Sequence, residues 1–226
     1  MLIVALDPLQ KGDVINWGRE VIYGVRRLVA GFKIGVPLLT KVGINGCKKI
    51  FYDYSGLLIA DLKLADIGDI MASVVRDLSE VGVNAVIAHA FVGRSGALDK
   101  LMEECEKLDV KLILVVSMSH KGSEEFIDRH LEEFMELTLS LNAWGVVAPA
   151  TRPNIVRRVR ELGGNRIKIL SPGIGVQGAQ PGTAICAGAD YEIVGRTIVA
   201  SSSPSAEALR VLSEQERKVR ECLGSQ

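Results

Sequence analysis

The sequence predicts an α/β protein built as a single (β/α)8 TIM barrel over residues 1–226, and three observations carry that expectation. Short β-branched apolar runs recur eight times in 226 residues. Each is followed by a stretch with helical periodicity. The runs are near-continuously apolar rather than alternating, as parallel strands covered outside by helices should be. The length lies slightly under the roughly 250 residues typical of that barrel. The competing architecture is an open doubly wound sheet, but no G-x-G-x-x-G follows the first strand.

The strands are expected at Leu2–Leu6, Gly31–Gly35, Leu57–Leu62, Ala85–His89, Leu112–Ser117, Gly145–Ala148, Ile167–Ser171 and Glu192–Gly195. Asp13 is placed to cap the first helix, Ser95 the fourth and Ser123 the fifth. Gly82 follows the third helix and Gly163-Gly164 closes the sixth. Ser203-Pro204 puts a cap and an N1 proline at the head of the last. Pro181–Ala187 carries the weakest helical signal. No linker or repeat divides the chain, and Cys222–Gln226 are expected to fray.

Composition narrows the function. The 27 basic and 27 acidic residues cancel, which argues against nucleic acid as a partner. No window approaches 18 apolar residues, so no membrane span is expected. The start, MLIVALDP, lacks a basic segment and is too short for a signal peptide. Cys47, Cys105, Cys186 and Cys222 show no C-x-x-C spacing and no neighbouring histidines. Neither a zinc site nor a disulfide scaffold is indicated, so a reduced, cytoplasmic setting is the default. Trp17 and Trp144 are most simply core; Glu132-Glu133 and Glu214–Arg220 read as solvated helix faces.

In such a barrel, chemistry sits at the C-terminal strand ends. Reading them in order gives Asp7, Lys33, then Asp61, Lys63 and Asp66, then His89, Ser119, Thr151, a glycine-rich stretch and Gly195-Arg196. In IADLKLADIGD, Asp61 and Lys63 face one side of the third strand while Leu62 and Leu64 face the other. Lys33 ends the neighbouring strand, about 4.8 Å away. Asp66 falls where the chain has left the strand, pointing elsewhere or across an interface. Such a cluster either plugs the barrel mouth as salt bridges or is retained for function, since buried charge is costly. His89 at a strand end is more often a packed core residue. Ser171–Gly182, SPGIGVQGAQPG, holds too many glycines and prolines for a regular element. It follows strand seven, where barrels commonly bind phosphate, with Gly195-Arg196 after strand eight. Gly195 permits close backbone approach, Arg196 offers a bidentate fork, and Gln177 could reach down from a lid. Ser119, by hydroxyl and N–H, could read the edge of a planar ligand.

The segment Asp61-x-Lys63-x-x-Asp66-Ile67 resembles the D-x-K-x-x-D-I signature of the orotidine 5′-phosphate decarboxylase family, most like its short archaeal-type members. The resemblance continues in Ala5-Leu6-Asp7, Phe32-Lys33-Ile34-Gly35, Met118-Ser119-His120, Ser171-Pro172-Gly173-Ile174-Gly175-x-Gln177-Gly178 and Val194-Gly195-Arg196. It implies cofactor-free, metal-free decarboxylation of orotidine 5′-monophosphate to UMP, the last step of de novo pyrimidine nucleotide synthesis, in a homodimer. Lys63 would be the proton donor, flanked by Asp61, Lys33 and an Asp66 supplied by the partner subunit. Asp7 and Lys33 would hold ribose hydroxyls, Ser119 the pyrimidine, and Gln177, Gly195 and Arg196 the phosphate. Ile67, Pro172 and Gly173 complete the implied substrate contacts. Ile87, Val115 and Pro172 are expected to form an apolar wall. One position departs: Ile70 stands where the family often has a ribose-contacting threonine. The alternatives are a Mg²⁺-dependent keto-sugar-phosphate decarboxylase or aldolase of the same superfamily, and a non-catalytic nucleotide-phosphate-binding barrel. The former use a glutamate at the end of strand two, where this chain has Lys33.

Overall fold

Both faces of each apolar run are buried, but against different partners. In the first run, Leu2 and Val4 face helices while Ile3 and Ala5 face inward. A computed structural model, describing residues 1–8 and 12–224, arranges these runs as a closed parallel barrel in the order β1 to β8, with β8 pairing back onto β1. The strands are β1 (Leu2–Ala5), β2 (Gly31–Gly35), β3 (Leu57–Leu64), β4 (Ala85–His89), β5 (Lys111–Val115), β6 (Gly145–Val147), β7 (Lys168–Pro172) and β8 (Tyr191–Val194). Each expected strand is present; β2 and β4 keep the expected bounds and the others have one or both ends moved by one or two residues. The barrel interior is filled by Ile3, Ile59, Ile87, Ile113, Leu170 and Ile193 among others. A larger shell including Phe32, Ile34, Leu58, Val86 and Val146 packs outward beneath the helices. Two buried layers account for the unbroken hydrophobicity.

The helices are α1 (Val14–Val25), α2 (Val36–Ile50), α3 (Gly68–Ser79), α4 (Asp99–Lys107), α5 (Leu131–Ser140), α6 (Pro153–Gly163), the short α7 (Thr183–Cys186) and α8 (Arg196–Val199), and α9 (Pro204–Leu223). Asp13 caps α1, its Oδ1 accepting from Asn16 N at 3.0 Å. Gly82 and Gly164 close α3 and α6 in left-handed φ, at +90° and +56°. Three expected caps fail. Ser95 lies within a wide turn (Arg94–Leu98), and the N–H of Gly96 is taken by Asp99 instead, at 3.1 Å. Ser123 lies in a 3-10 turn (Lys121–Glu125) and its hydroxyl serves a buried cluster. Ser203 makes no side-chain cap, although Pro204 does open α9.

The cysteines overturn their expectation. Cys186 on α7 and Cys222 near the end of α9 form a disulfide, while Cys47 and Cys105 are buried thiols. Their sequence separation of 36 hides a contact that exists only once α9 packs on α7. Cys222 is therefore tied down rather than frayed; Ser225 and Gln226 lie outside the described residues. Gln215, in the stretch expected to be solvated, is buried and donates to Glu192 at 3.0 Å. No helix among the described residues is long and apolar enough to cross a membrane.

Candidate active site

A cavity of about 520 Å³ opens at the C-terminal strand ends. On its β1–β3 side the polar groups are side chains of three adjacent strand ends. In β2, Phe32 and Ile34 point into the outer shell, so Lys33 must point inward. It is nearly buried, with its Nζ 3.1 Å from Asp61 and 3.7 Å from Asp7. Gly35 makes room for this arrangement, since a Cβ there would sit 2.8 Å from Asp7 Oδ1. Lys63 Nζ meets the other Asp61 oxygen at 2.9 Å. Asp61 is thus gripped by two ammonium groups.

The sequence places Asp61 and Lys63 on one face, and both do line the cavity while Leu62 and Leu64 pack outward. The backbone does more than alternate, however. The β3–β4 register shifts between Ala60 and Leu64, and Lys63 takes φ +48°. A left-handed non-glycine residue costs on the order of 1–2 kcal/mol. Such strain is typical of residues whose placement serves chemistry.

Electrostatics follow from burial set against pairing. Burial alone would lower the Lys33 pKa, but Asp61 and Asp7 outweigh it and hold the ammonium above its ordinary value. Burial would raise the Asp61 pKa, yet Lys33 and Lys63 hold it below the usual carboxylate range. His89, at the end of β4, is buried against Phe91. Burial and then the Lys63 charge push its pKa down, against the pull of Asp61. Its Nδ1 has no hydrogen-bond partner, and it does not line the cavity.

The opposite side is built from loops. Ser117, Met118 and Ser119 follow β5, and Gly173, Ile174, Val176 and Gln177 follow β7, with Gly195 and Arg196 after β8. The loop after β7 closes on itself, Gly175 N donating to Ala179 O at 2.8 Å and Ala179 N to Gly173 O at 3.2 Å. A Cβ on Gly175, which has φ +78°, would lie 2.2 Å from Thr197 Oγ1. Glycine is required there for the loop to sit against the segment carrying Arg196. Ile87, Val115 and Pro172 all line the cavity between the two sides, as the sequence suggests.

Of the singled-out residues, Asp66 and Ile67 stand apart. Both are exposed, outside the cavity of their own chain, and Asp66 Oδ1 accepts from Ile67 N at 2.7 Å. Ile70 is also exposed. Thr151 touches the β7 loop, its methyl 3.2 Å from where a Gly173 Cβ would lie. Sequence reasoning missed the partly buried Asp128–Arg152 pair behind Met118. A shallower recess of about 440 Å³ beside α1 has its cations engaged, Arg26 by Asp53 at 2.9 Å and Arg19 over the Tyr52 ring.

Fold and site together define a class: a (β/α)8 barrel whose mouth offers paired ammonium groups on β2 and β3 and a glycine–arginine pair after β8. The family model described as "Orotidine 5'-phosphate decarboxylase / HUMPS family" matches residues 1–211. An orotidine 5′-phosphate decarboxylase of Aeropyrum pernix is 46% identical over 94% of this chain and 87% of its own length. The crystal structure of orotidine 5′-monophosphate decarboxylase from Sulfolobus solfataricus superposes with TM-score 0.87 at 32% identity, covering 96% of this chain and 98% of that one. The Methanocaldococcus jannaschii enzyme complexed with inhibitor BMP gives 0.83 at 28%, covering 98% and 97%. The chain belongs to the orotidine 5′-phosphate decarboxylase/HUMPS family.

Proposed function

We propose that this protein is a carbon–carbon lyase that converts orotidine 5′-monophosphate to UMP and CO2 without a cofactor. The observation carrying this reading is the Lys33–Asp61–Lys63 chain, lining one cavity together with Gly195 and Arg196. Arg196, Gly195 and Gln177 take the phosphate dianion. Asp7 and Lys33 take the ribose hydroxyls, and Asp7 Oδ1 is a buried acceptor still lacking a donor. Ser119 reads the pyrimidine edge.

These contacts set C6 beside Lys63. The C6–carboxylate bond breaks, CO2 leaves along the wall of Ile87, Val115 and Pro172, and the electron pair stays on C6. The Lys63 ammonium stabilises that developing charge and then delivers a proton to it. Asp61, beside the departing carboxylate, repels it by roughly 4 kcal/mol at about 4 Å and an effective dielectric of 20. Very slow reactions demand on the order of 20 kcal/mol. Stabilisation of the carbanion-like transition state is therefore the main term, with phosphate binding driving closure of the loop and positioning the pyrimidine ring.

A homodimer follows in the same reading, with Asp66 contributed to the partner's cavity. Asp66 is turned away from its own cavity, and Val36, Ile67, Ile70 and Phe91 expose apolar surface on the segments after β2, β3 and β4. The Mg²⁺-dependent sugar-phosphate alternative does not fit these residues. An ammonium already occupies the space between Asp7 and Asp61, and Lys63 takes the remaining Asp61 oxygen. An ultraviolet assay of orotidine monophosphate consumption with EDTA present tests the proposal. Undiminished turnover is expected; metal dependence, or turnover of a keto-sugar phosphate instead, would overturn it.

A further inference from the structure

Ser119 has no regular element to hold it. β5 ends at Val115 and the next turn begins at Lys121. The intervening backbone is fixed by a polar cluster from two distant places, in which Ser117 and Ser123 are buried and Asp128 and Arg152 are partly buried. Asp128, in a 3-10 turn (Ile127–His130), accepts from Ser117 Oγ at 2.8 Å and Ser123 Oγ at 2.7 Å through one oxygen. Its other oxygen pairs with Nη1 of Arg152, which precedes α6. Nη2 of Arg152 donates to the Met118 carbonyl, and the Met118 N–H donates to Ser123 Oγ at 3.1 Å. Both main-chain polar groups of the residue before Ser119 are thus held by this cluster.

We propose that Asp128 and Arg152 are positioning residues for nucleobase recognition, setting Ser119 by clamping Met118; this rests on the reading of Ser119 as the pyrimidine contact. Neither charge lines the cavity, whereas Ser117, Met118 and Ser119 all do, so the pair acts only through them. An ion pair withdrawn from most of its solvent is a poor way to gain stability, since its desolvation offsets much of the attraction. It is a good way to fix backbone, because a planar guanidinium with several donors bridges a carboxylate and a carbonyl at once. A site built to hydrogen-bond a polar edge discriminates only while its donors stay in register.

The test uses calorimetry of the intact protein with UMP and with ribose 5-phosphate, which lacks the base. Asp128→Asn and Arg152→Met should each weaken UMP binding on the order of tenfold while changing ribose 5-phosphate binding less than about twofold. Ser119→Ala should show the same selective loss, and adding Arg152→Met to it should cost little more. Arg152→Lys, which can pair with Asp128 but not also bridge to Met118, should fall between. Ser123→Ala removes the Met118 N–H acceptor and one of the two hydroxyl donors to Asp128 but leaves the Arg152 contacts, so it should give a smaller, equally selective loss if Arg152→Met fails to fold. Equal loss for both ligands would mark the pair as merely structural and overturn the proposal. Selective loss in Ser119→Ala without any in Arg152→Met would also overturn it, leaving the reading of Ser119 intact. Loss in Arg152→Met with none in Ser119→Ala would instead sink the route through Ser119.

Discussion

The two sides of the mouth are engineered differently. Between β1 and β3, every functional group is a side chain on a strand end, and the groups hold one another: Asp61 binds Lys33 and Lys63, and Lys33 reaches Asp7. Between β5 and β8, the cavity is lined by loops that draw support from outside themselves. The Met118 segment leans on Asp128 and Arg152. The far end of the β7 loop leans on Glu192, wholly buried in β8, which accepts from Gly182 N at 2.8 Å, Ala184 N at 2.9 Å and Gln215 Nε2 at 3.0 Å. The comparison suggests a division of labour. Chemistry sits where strand register fixes charges, and ligand grip sits where loops can adjust.

The largest effect should come from breaking the first side at Lys63. On the proposed mechanism Lys63→Ala removes the cation beside C6 and the proton source together, so kcat should fall by at least about 10³-fold. UMP binding should remain measurable, because the residues proposed to hold the phosphate are untouched. Near-normal turnover in the ultraviolet assay would reject the proton-donor role. The second side is best probed through its brace. Cys222→Ser opens a cross-link between residues 36 apart, worth about 3–4 kcal/mol by loop-closure entropy. Urea unfolding should record that loss, with UMP affinity unchanged because the disulfide lies outside the cavity. A loss under about 1 kcal/mol would mean that α9 is held by packing alone.

The same contrast explains how much was legible in the sequence. Asp7, Lys33, Asp61 and Lys63 could be placed because strand periodicity fixes which side chains point inward, and neighbouring strands lie in register. The wall of Ile87, Val115 and Pro172 followed from the same rule. The supports of the other side were invisible for a different reason. Asp128 and Ser117 meet through a turn with no periodic signature, Arg152 comes from beyond β6, and the partners of Glu192 lie on α7 and α9, which no local pattern brings to it. Ser123 was misread because a serine before a helix is a cap only if no buried carboxylate claims its hydroxyl first. Cys186 and Cys222 lacked any local motif, since their contact is made by tertiary packing.

Arg196 tests the grip itself. Arg196→Ala should weaken UMP binding by about 2–3 kcal/mol, the value of a charge-assisted hydrogen bond pair, and barely alter uridine binding. Equal losses for the two ligands would move the phosphate away from the β8 end and dissolve the division drawn above.

The smallest effect should appear at His89, on β4 between the two sides. Its folded pKa lies below the ordinary histidine value because of burial first and the Lys63 charge second. The sign is then fixed: below about pH 6.5 the unfolded chain takes up a proton that the folded His89 resists, so stability falls as pH drops through that window. At pH 7.5 both states hold it neutral and the term vanishes. Asp61 adds the same direction of change only at lower pH, since its folded pKa is depressed and its contribution is lost as pH falls below the usual carboxylate value. Urea midpoints at pH 7.5 and pH 5 should therefore differ less in His89→Gln than in the parent. An unchanged difference would mean that the imidazole is hydrated and unburdened by Lys63, and that the charge cluster's reach ends at β3.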